Sequence, residues 1–315
     1  MTTTHLALVG PTASGKSALA LSIARKLGDV EIVSVDSMQG YRGMDIGTAK
    51  PSAEEQAAVP HHLLDIADPS EDLNVARYQT LSRSAVAEIA ARGKRALLVG
   101  GTGLYFQAVV DDLRFPGEDL ELRADLERRT AAPGGIARAY GELQRLDPLA
   151  ASRIDPHNAR RIVRALEVIE LTGEPFSSFG PGVQTFGPTA FPVRILGVWL
   201  PRAVLAGRIA ERVAAMRGRG LRAEVERLRH LPAWSRTARQ AIGYKEILDV
   251  LDGHHDDIGT DKTAEDEAFD TIARRTRSFA RRQRMWFRRD PRIVWVGTSE
   301  NSCGSAGAVL ALWRR

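Results

Sequence analysis

The stretch LALVGPTASGKSALALSIARKLG, Leu6 to Gly28, decides the fold. A short apolar run ends at Gly10; after four intervening residues come Gly15, Lys16 and Ser17, and apolar residues then recur at helical spacing up to a basic turn and Gly28. Strand, glycine-rich turn and helix in that order is the context in which this spacing binds phosphate. The backbone curls so that several N–H groups and the positive end of the helix face one anion. Lys16 adds a point charge, and Ser17 can offer a hydroxyl to Mg²⁺. Gly10, Pro11, Thr12, Ala13, Ser14, Gly15, Lys16 and Ser17 are therefore the candidate phosphate ligands, with Ser17 the candidate metal ligand. The loop alone says only phosphate: kinases, ATPases, GTPases and some transferases share it.

Outward from the loop, EIVSVD (31–36), RALLVG (95–100), VRILGVWL (193–200) and RIVWVG (292–297) read as further buried parallel strands. Helix-patterned text such as VARYQTLSRSAVAEIAARG (75–93) lies between them. The pattern predicts a doubly wound α/β fold, a P-loop NTPase-like parallel sheet flanked by helices. From about 117 to 190 the strand signal vanishes, replaced by charged helical text (DLELRADLERR, NARRIVRALEVIELTG) and the Gly/Pro/Ser-rich EPFSSFGPGVQTFGP. The expected organisation is a core of residues 1–116 and 191–315 carrying C-terminal nucleic-acid-binding helices, with an all-helical insertion at 117–190.

Composition narrows the class. With 315 residues, 43% of them hydrophobic, the chain can bury a large core. No apolar run reaches the roughly 18 to 20 residues needed to cross a bilayer, and the N-terminus runs directly into the phosphate loop, so a cytoplasmic protein without a membrane partner is expected. The single cysteine, Cys303, excludes an internal disulfide and a cysteine-based zinc site.

Two further features choose among ligands. The strand RALLVG ends in GGTGLY with no acid, whereas EIVSVD ends in Asp36, where a carboxylate can accept a proton from an acceptor group, hold a metal-bound water or cap the following turn. The last long helix starts with Thr263 and Asp266 in capping-box spacing. Its helical periodicity sets Phe269, Ile272, Phe279, Ala280, Trp286 and Phe287 on one half. Arg274, Arg277, Arg281, Arg284 and Arg288 form a stripe opposite, widened by Arg275, Arg282 and Arg289. A one-signed arginine stripe with no acid inside the run suits a polyphosphate backbone, so nucleic acid is the expected partner, with Arg281, Arg282 and Arg284 among its contacts. In RAVLAGRIAERVAAM, Arg208 and Arg212 fall four apart on one helix face.

GPTASGKS, SVDSMQGYRGMDIGTAKP, HHLLDIADP (61–69), LLVGGTGLY (97–105), RRIVRALEV (160–168) and AIGYKEI (241–247) together resemble the bacterial tRNA dimethylallyltransferases, the isopentenyl-diphosphate:tRNA transferase family, over essentially the whole chain. The resemblance implies transfer of a dimethylallyl group from dimethylallyl diphosphate to N6 of adenosine 37 of tRNA, with Mg²⁺ and release of diphosphate. It implies that Asp36 is the base, that Thr102 lies near the target adenine, that Arg212 rather than Arg208 contacts the diphosphate, and that Asp36, Ser37, Met38, Gln39, Thr102, Arg123 and the patch Arg160, Arg161, Ile162, Val163 and Arg164 meet the tRNA. The insertion would clamp the anticodon stem-loop, and a monomer is expected. Gly40 stands where many relatives would carry a bulkier residue. The alternatives are an adenylate isopentenyltransferase acting on free nucleotide, a P-loop small-molecule kinase that binds ATP, and a non-catalytic RNA-binding protein.

Overall fold

The computed structural model describes residues 4–180, 182–183, 185–253, 263–297 and 302–314. Six parallel strands form one sheet: β1 (His5–Val9), β2 (Val30–Val35), β3 (His61–His62), β4 (Arg95–Gly100), β5 (Val193–Trp199) and β6 (Val294–Gly297), in the order β3-β2-β4-β1-β5-β6. Helices α1 (Lys16–Leu27), α2 (Ala53–Ala58), α3 (Val75–Ala91) and α4 (Gly103–Val110) precede the insertion. The insertion carries α5 (Leu120–Ala131), α6 (Gly135–Leu146), α7 (Pro148–Arg153) and α8 (Ala159–Thr172). After it come α9 (Arg202–Gly218), α10 (Leu221–Arg229), α11 (Arg236–Arg239), α12 (Tyr244–Leu251), α13 (Ala264–Phe287) and α14 (Ala306–Arg314).

The strands bury both faces, which is why they read as continuous apolar runs. Alternate residues enter different cores: Leu6 and Leu8 of β1 pack with Leu19 and Ile23 of α1 and with α14, while Ala7 and Val9 join the core formed with α3, α4, α9 and α13. The five long apolar runs all become strands. The sixth, β3, is only two residues long, too short to carry periodicity, and pairs with Ile32 and Val33 at the sheet edge. Among the described residues no helix is long and apolar enough to cross a membrane.

The insertion is a compact unit, Asp112–Gly187, with its own core of Leu126, Leu143, Ile162, Val163 and Leu166. Its start, Asp112 rather than 117, follows from side-chain anchoring that composition does not reveal. Asp111 at the end of α4 accepts from Arg292 (2.5 Å), and Arg83 donates to the carbonyls of Val109 and Asp111, so the core holds the chain to that point.

Helix α13 starts as expected: the Thr263 hydroxyl accepts from the Asp266 amide (3.2 Å) and Asp266 accepts from the Thr263 amide (3.3 Å). Its buried stripe is Phe269, Ile272, Thr276, Ala280, Gln283 and Phe287, so two polar residues occupy the apolar seam.

Candidate active site

Parallel strands deliver their carboxyl ends to one edge of the sheet, where loops from adjacent strands converge. Here β2 ends in Asp36, β4 in Gly101 and Thr102, β1 in the phosphate loop and β5 in Leu200. The loop is wound tightly, with Ala13 in the left-handed region (φ 61°) and Ser14 donating to the Pro11 carbonyl (3.3 Å). A non-glycine residue held there stores backbone strain of the kind concentrated at ligand clamps.

Beside the loop lies a cleft of about 530 Å³ lined by Ala13, Gly15, Lys16 and Ser17 on one wall and Arg208, Glu211 and Arg212 of α9 on the other. Both arginines reach the cleft because they sit one turn apart on the face that meets the loop, so the spacing that left Arg208 and Arg212 equivalent in the sequence places both at the site. Arg212 donates to the Thr48 carbonyl (3.3 Å), and Arg208 to the Ser14 carbonyl (3.4 Å). Asp36 lies close enough that its charge favours the cationic forms of both Lys16 and Arg212. Lys16, Arg208 and Arg212 give the cleft the cations an anion needs; Glu211 is the carboxylate in its lining, and Asp36 lies near Lys16 and Arg212.

Burial, reinforced by the Arg212 charge, draws the Lys16 ammonium down to about 8 against the opposing pull of Asp36. The free protein therefore sheds this cation as pH rises through about 8. Binding a diphosphate anion restores the proton, so its affinity is expected to fall above that pH by up to about tenfold per unit. Titrating inorganic diphosphate from pH 7 to 9.5 checks this, and a constant affinity would place Lys16 outside the contacts of the anion.

The loop after Asp36 is braced internally. The Asp36 carboxylate accepts from the Met38 amide (3.1 Å), and Ser37 is buried while Met38 is half-buried. The Gln39 amide is fully engaged: it accepts from Ser34 (2.8 Å) and donates to the carbonyls of Thr48 (3.3 Å) and Ala49 (3.1 Å). Gln39 thus ties Asp36's loop to the segment that also receives Arg212. That segment is held from behind by Glu224, whose buried carboxylate accepts from the amides of Ile46 (2.8 Å) and Gly47 (3.3 Å) and from the Tyr244 hydroxyl (2.6 Å). Three donors offset the cost of burying that charge. Glu224 and Tyr244 were not singled out from the sequence; Tyr244 lies within AIGYKEI, but an acid paired across 20 residues has no local signature. Gly40 is explained by packing: a β-carbon there would stand 2.7 Å from Leu73, and its carbonyl accepts from Ile66 and Ala67.

Thr102 begins α4 with no side-chain capping bond. Next to it, Gly103 admits the Trp286 ring of α13, which would lie 2.3 Å from an added β-carbon. The Thr12 amide is not left for an anion as the loop pattern suggests; it donates to Gln283 (2.8 Å). With the Ser14 amide bonded to the Pro11 carbonyl, the amides left for an anion are those of Ala13 and of Gly15 to Ser17.

The arginine stripe is also revised. Arg274, Arg277, Arg281, Arg282, Arg288 and Arg289 are exposed. Arg284 turns inward, its guanidinium 3.9 Å from the Trp199 ring and donating to the Leu200 carbonyl (3.3 Å), and Arg275 pairs with Glu246 of α12. With Arg284 and Arg275 engaged in this way, the charge facing solvent is narrower than the sequence wheel implies. In the insertion, Arg160 and Arg161 are exposed, but Ile162 and Val163 are core residues at 0% and 3% exposure, facing inward because the patch lies on a helix. Arg123 and Arg164 both pair with buried Glu167 (2.9 Å each), and Arg164 also donates to the Pro116 carbonyl. These two arginines hold the unit together.

A phosphate loop on a parallel α/β sheet, with cations and an acid converging on the same cleft, defines an enzyme of the P-loop class that handles a phosphorylated ligand. The IPP transferase family model matches residues 39–290. The chain is 49% identical over 301 residues to a tRNA dimethylallyltransferase of Bifidobacterium longum, covering 94% of this chain and 87% of that protein. It is 49% identical over 310 residues to that of Salinispora tropica, covering 98% and 92%. Among solved structures, the tRNA isopentenylpyrophosphate transferase of Bacillus halodurans superposes with a TM-score of 0.69 at 38% identity, covering 99% of this chain and 94% of that one. A eukaryotic dimethylallyltransferase acting on tRNA gives 0.80 at 26% identity, covering 99% and 78%. The chain belongs to the IPP transferase family.

Proposed function

We propose that this protein transfers a dimethylallyl group from dimethylallyl diphosphate to N6 of adenosine 37 in tRNA, releasing diphosphate. The observation that carries the reading is the cleft that sets Lys16 and Ser17 of the loop against Arg212 of α9, with the Asp36 carboxylate near enough to both cations to favour their charged forms. The diphosphate sits in the loop, held by the amides of Ala13 and of Gly15 to Ser17 and by Lys16, with Arg212 on the opposite wall. As the N6 nitrogen bonds to the allylic carbon, the carbon–oxygen bond to diphosphate breaks and its electron pair leaves with the diphosphate. Asp36 takes the N6 proton, a task the amine needs because its lone pair is delocalised into the ring. Charge building on the leaving group meets donors already in place. Thr102 contacts the acceptor base, and Ser37 and Met38 border its pocket.

Mg²⁺ suits the loop because it keeps several waters and takes phosphate oxygens, needing little more from the protein than the exposed Ser17 hydroxyl. It supplies charge neutralisation on the leaving diphosphate. The acceptor enters from the anticodon loop: the exposed arginines of α13, with Arg281 and Arg282 foremost, hold the RNA backbone while the base is extruded, at a cost of about a few kcal/mol; the exposed Arg160 and Arg161 suit the insertion, by itself, to phosphate contact. The protein acts as a monomer in the cytoplasm.

Incubation with Mg²⁺, labelled dimethylallyl diphosphate and either unmodified tRNA or AMP tests the reading. Label is expected on tRNA at adenosine 37. Label on AMP alone, or on neither, overturns it.

A further inference from the structure

Gln283 is a polar residue in the apolar seam of α13, 5% exposed and wholly engaged by backbone. Its Oε1 accepts from the Thr12 amide and its Nε2 donates to the Gly101 carbonyl, both at 2.8 Å. The orientation of the amide is fixed by its partners, since a backbone N–H can only donate and a carbonyl only accept. One side chain thus spans two strand-end loops: the phosphate loop, which cradles the donor, and the GGTG loop, which presents Thr102. Its neighbours on α13 reach the same edge, Arg284 at Leu200 and Trp286 at Gly103, but of these three Gln283 alone hydrogen-bonds both the phosphate loop and the GGTG loop.

We propose that Gln283 is a positioning residue for the transfer reaction, setting the register between the diphosphate cradle and the acceptor-side loop. The proposal rests on the prenyl-transfer reading above. It explains why the seam holds an amide: no apolar residue could satisfy the part-buried Thr12 N–H and the buried Gly101 carbonyl together, and a carboxylate could satisfy only the first. It also assigns the Thr12 amide a fixed structural partner, so the loop offers its anion the amides of Ala13 and of Gly15 to Ser17.

Gln283→Glu keeps the shape and the bond from Thr12 but sets a carboxylate against the Gly101 carbonyl; Gln283→Leu removes both bonds. For folded variants, kcat for tRNA prenylation is expected to fall about 10- to 100-fold, because small misplacements of reacting groups are costly, while the KM for tRNA stays within about twofold. A folded variant with wild-type kcat, or one whose loss lies entirely in the KM for tRNA, overturns the proposal. Hydrogen exchange on the unaltered protein gives an arm independent of variant folding and of turnover: the Thr12 amide is expected to be strongly protected without any ligand. Exchange at the rate of an open loop overturns the register even if the variants are inactive. Absence of transfer by the wild-type protein with Thr12 still protected removes the prenyl-transfer reading and leaves the register standing.

Discussion

Replacing Asp36 with Asn is expected to slow the single-turnover transfer rate by about 10²- to 10⁴-fold, the range a positioned general base supplies. The substitution is conservative in shape, and the Asn carbonyl oxygen can still accept from the Met38 amide that Asp36 now holds. The turn after β2 therefore survives, and so do the bonds of Gln39 that brace it. Binding of donor and tRNA should remain near wild type, because the cations of the cleft and of α13 are untouched. What is lost is the acceptor for the N6 proton. Rapid-quench measurement with saturating enzyme separates this step from product release, and a near-normal rate would remove Asp36 as the base.

Arg212→Gln is expected to lower transfer by about 10²- to 10³-fold and to raise the KM for the prenyl donor, the loss typical of removing one fixed donor from a developing anion. Arg212 is half-buried on the wall of the cleft, with Lys16 opposite and Asp36 near both. Its removal also leaves the Thr48 carbonyl without that donor, though Gln39 still supplies one. Arg208→Gln is the matched control, since Arg208 lines the same cleft one turn earlier. Its effect should be the smaller; if steady-state kinetics reverse the order, Arg208 is the principal donor contact and Arg212 a brace of the Thr48 segment.

Much of the core was legible because each element announced itself locally. A strand buried on both faces must be apolar throughout, and a phosphate loop must place glycines, lysine and serine at one spacing, so β1, β2, β4, β5 and α1 could be read from short windows. The candidate base was legible for the same reason: Asp36 ends an apolar run, and parallel strands gather their ends at one edge. Side chains whose role depends on a distant partner were less so. Arg123 and Arg164 look like an RNA-binding pair until Glu167 is seen between them, and Arg284 looks like part of an open stripe until Trp199 is found under it. A helical wheel assigns a face but not what covers it.

The sequence by itself determined the phosphate loop, the parallel α/β core, the helical insertion and Asp36 at a strand end, because these follow from periodicity and spacing within a few tens of residues. Only the tertiary structure decided that Arg208 and Arg212 both face the loop, that Glu224 and Tyr244 hold the segment beside it, and that Gln283 joins the loop to the turn bearing Thr102. Those pairings close across as many as 271 residues, and nothing in the local chemistry of a glutamine or an arginine records which distant backbone group it will meet.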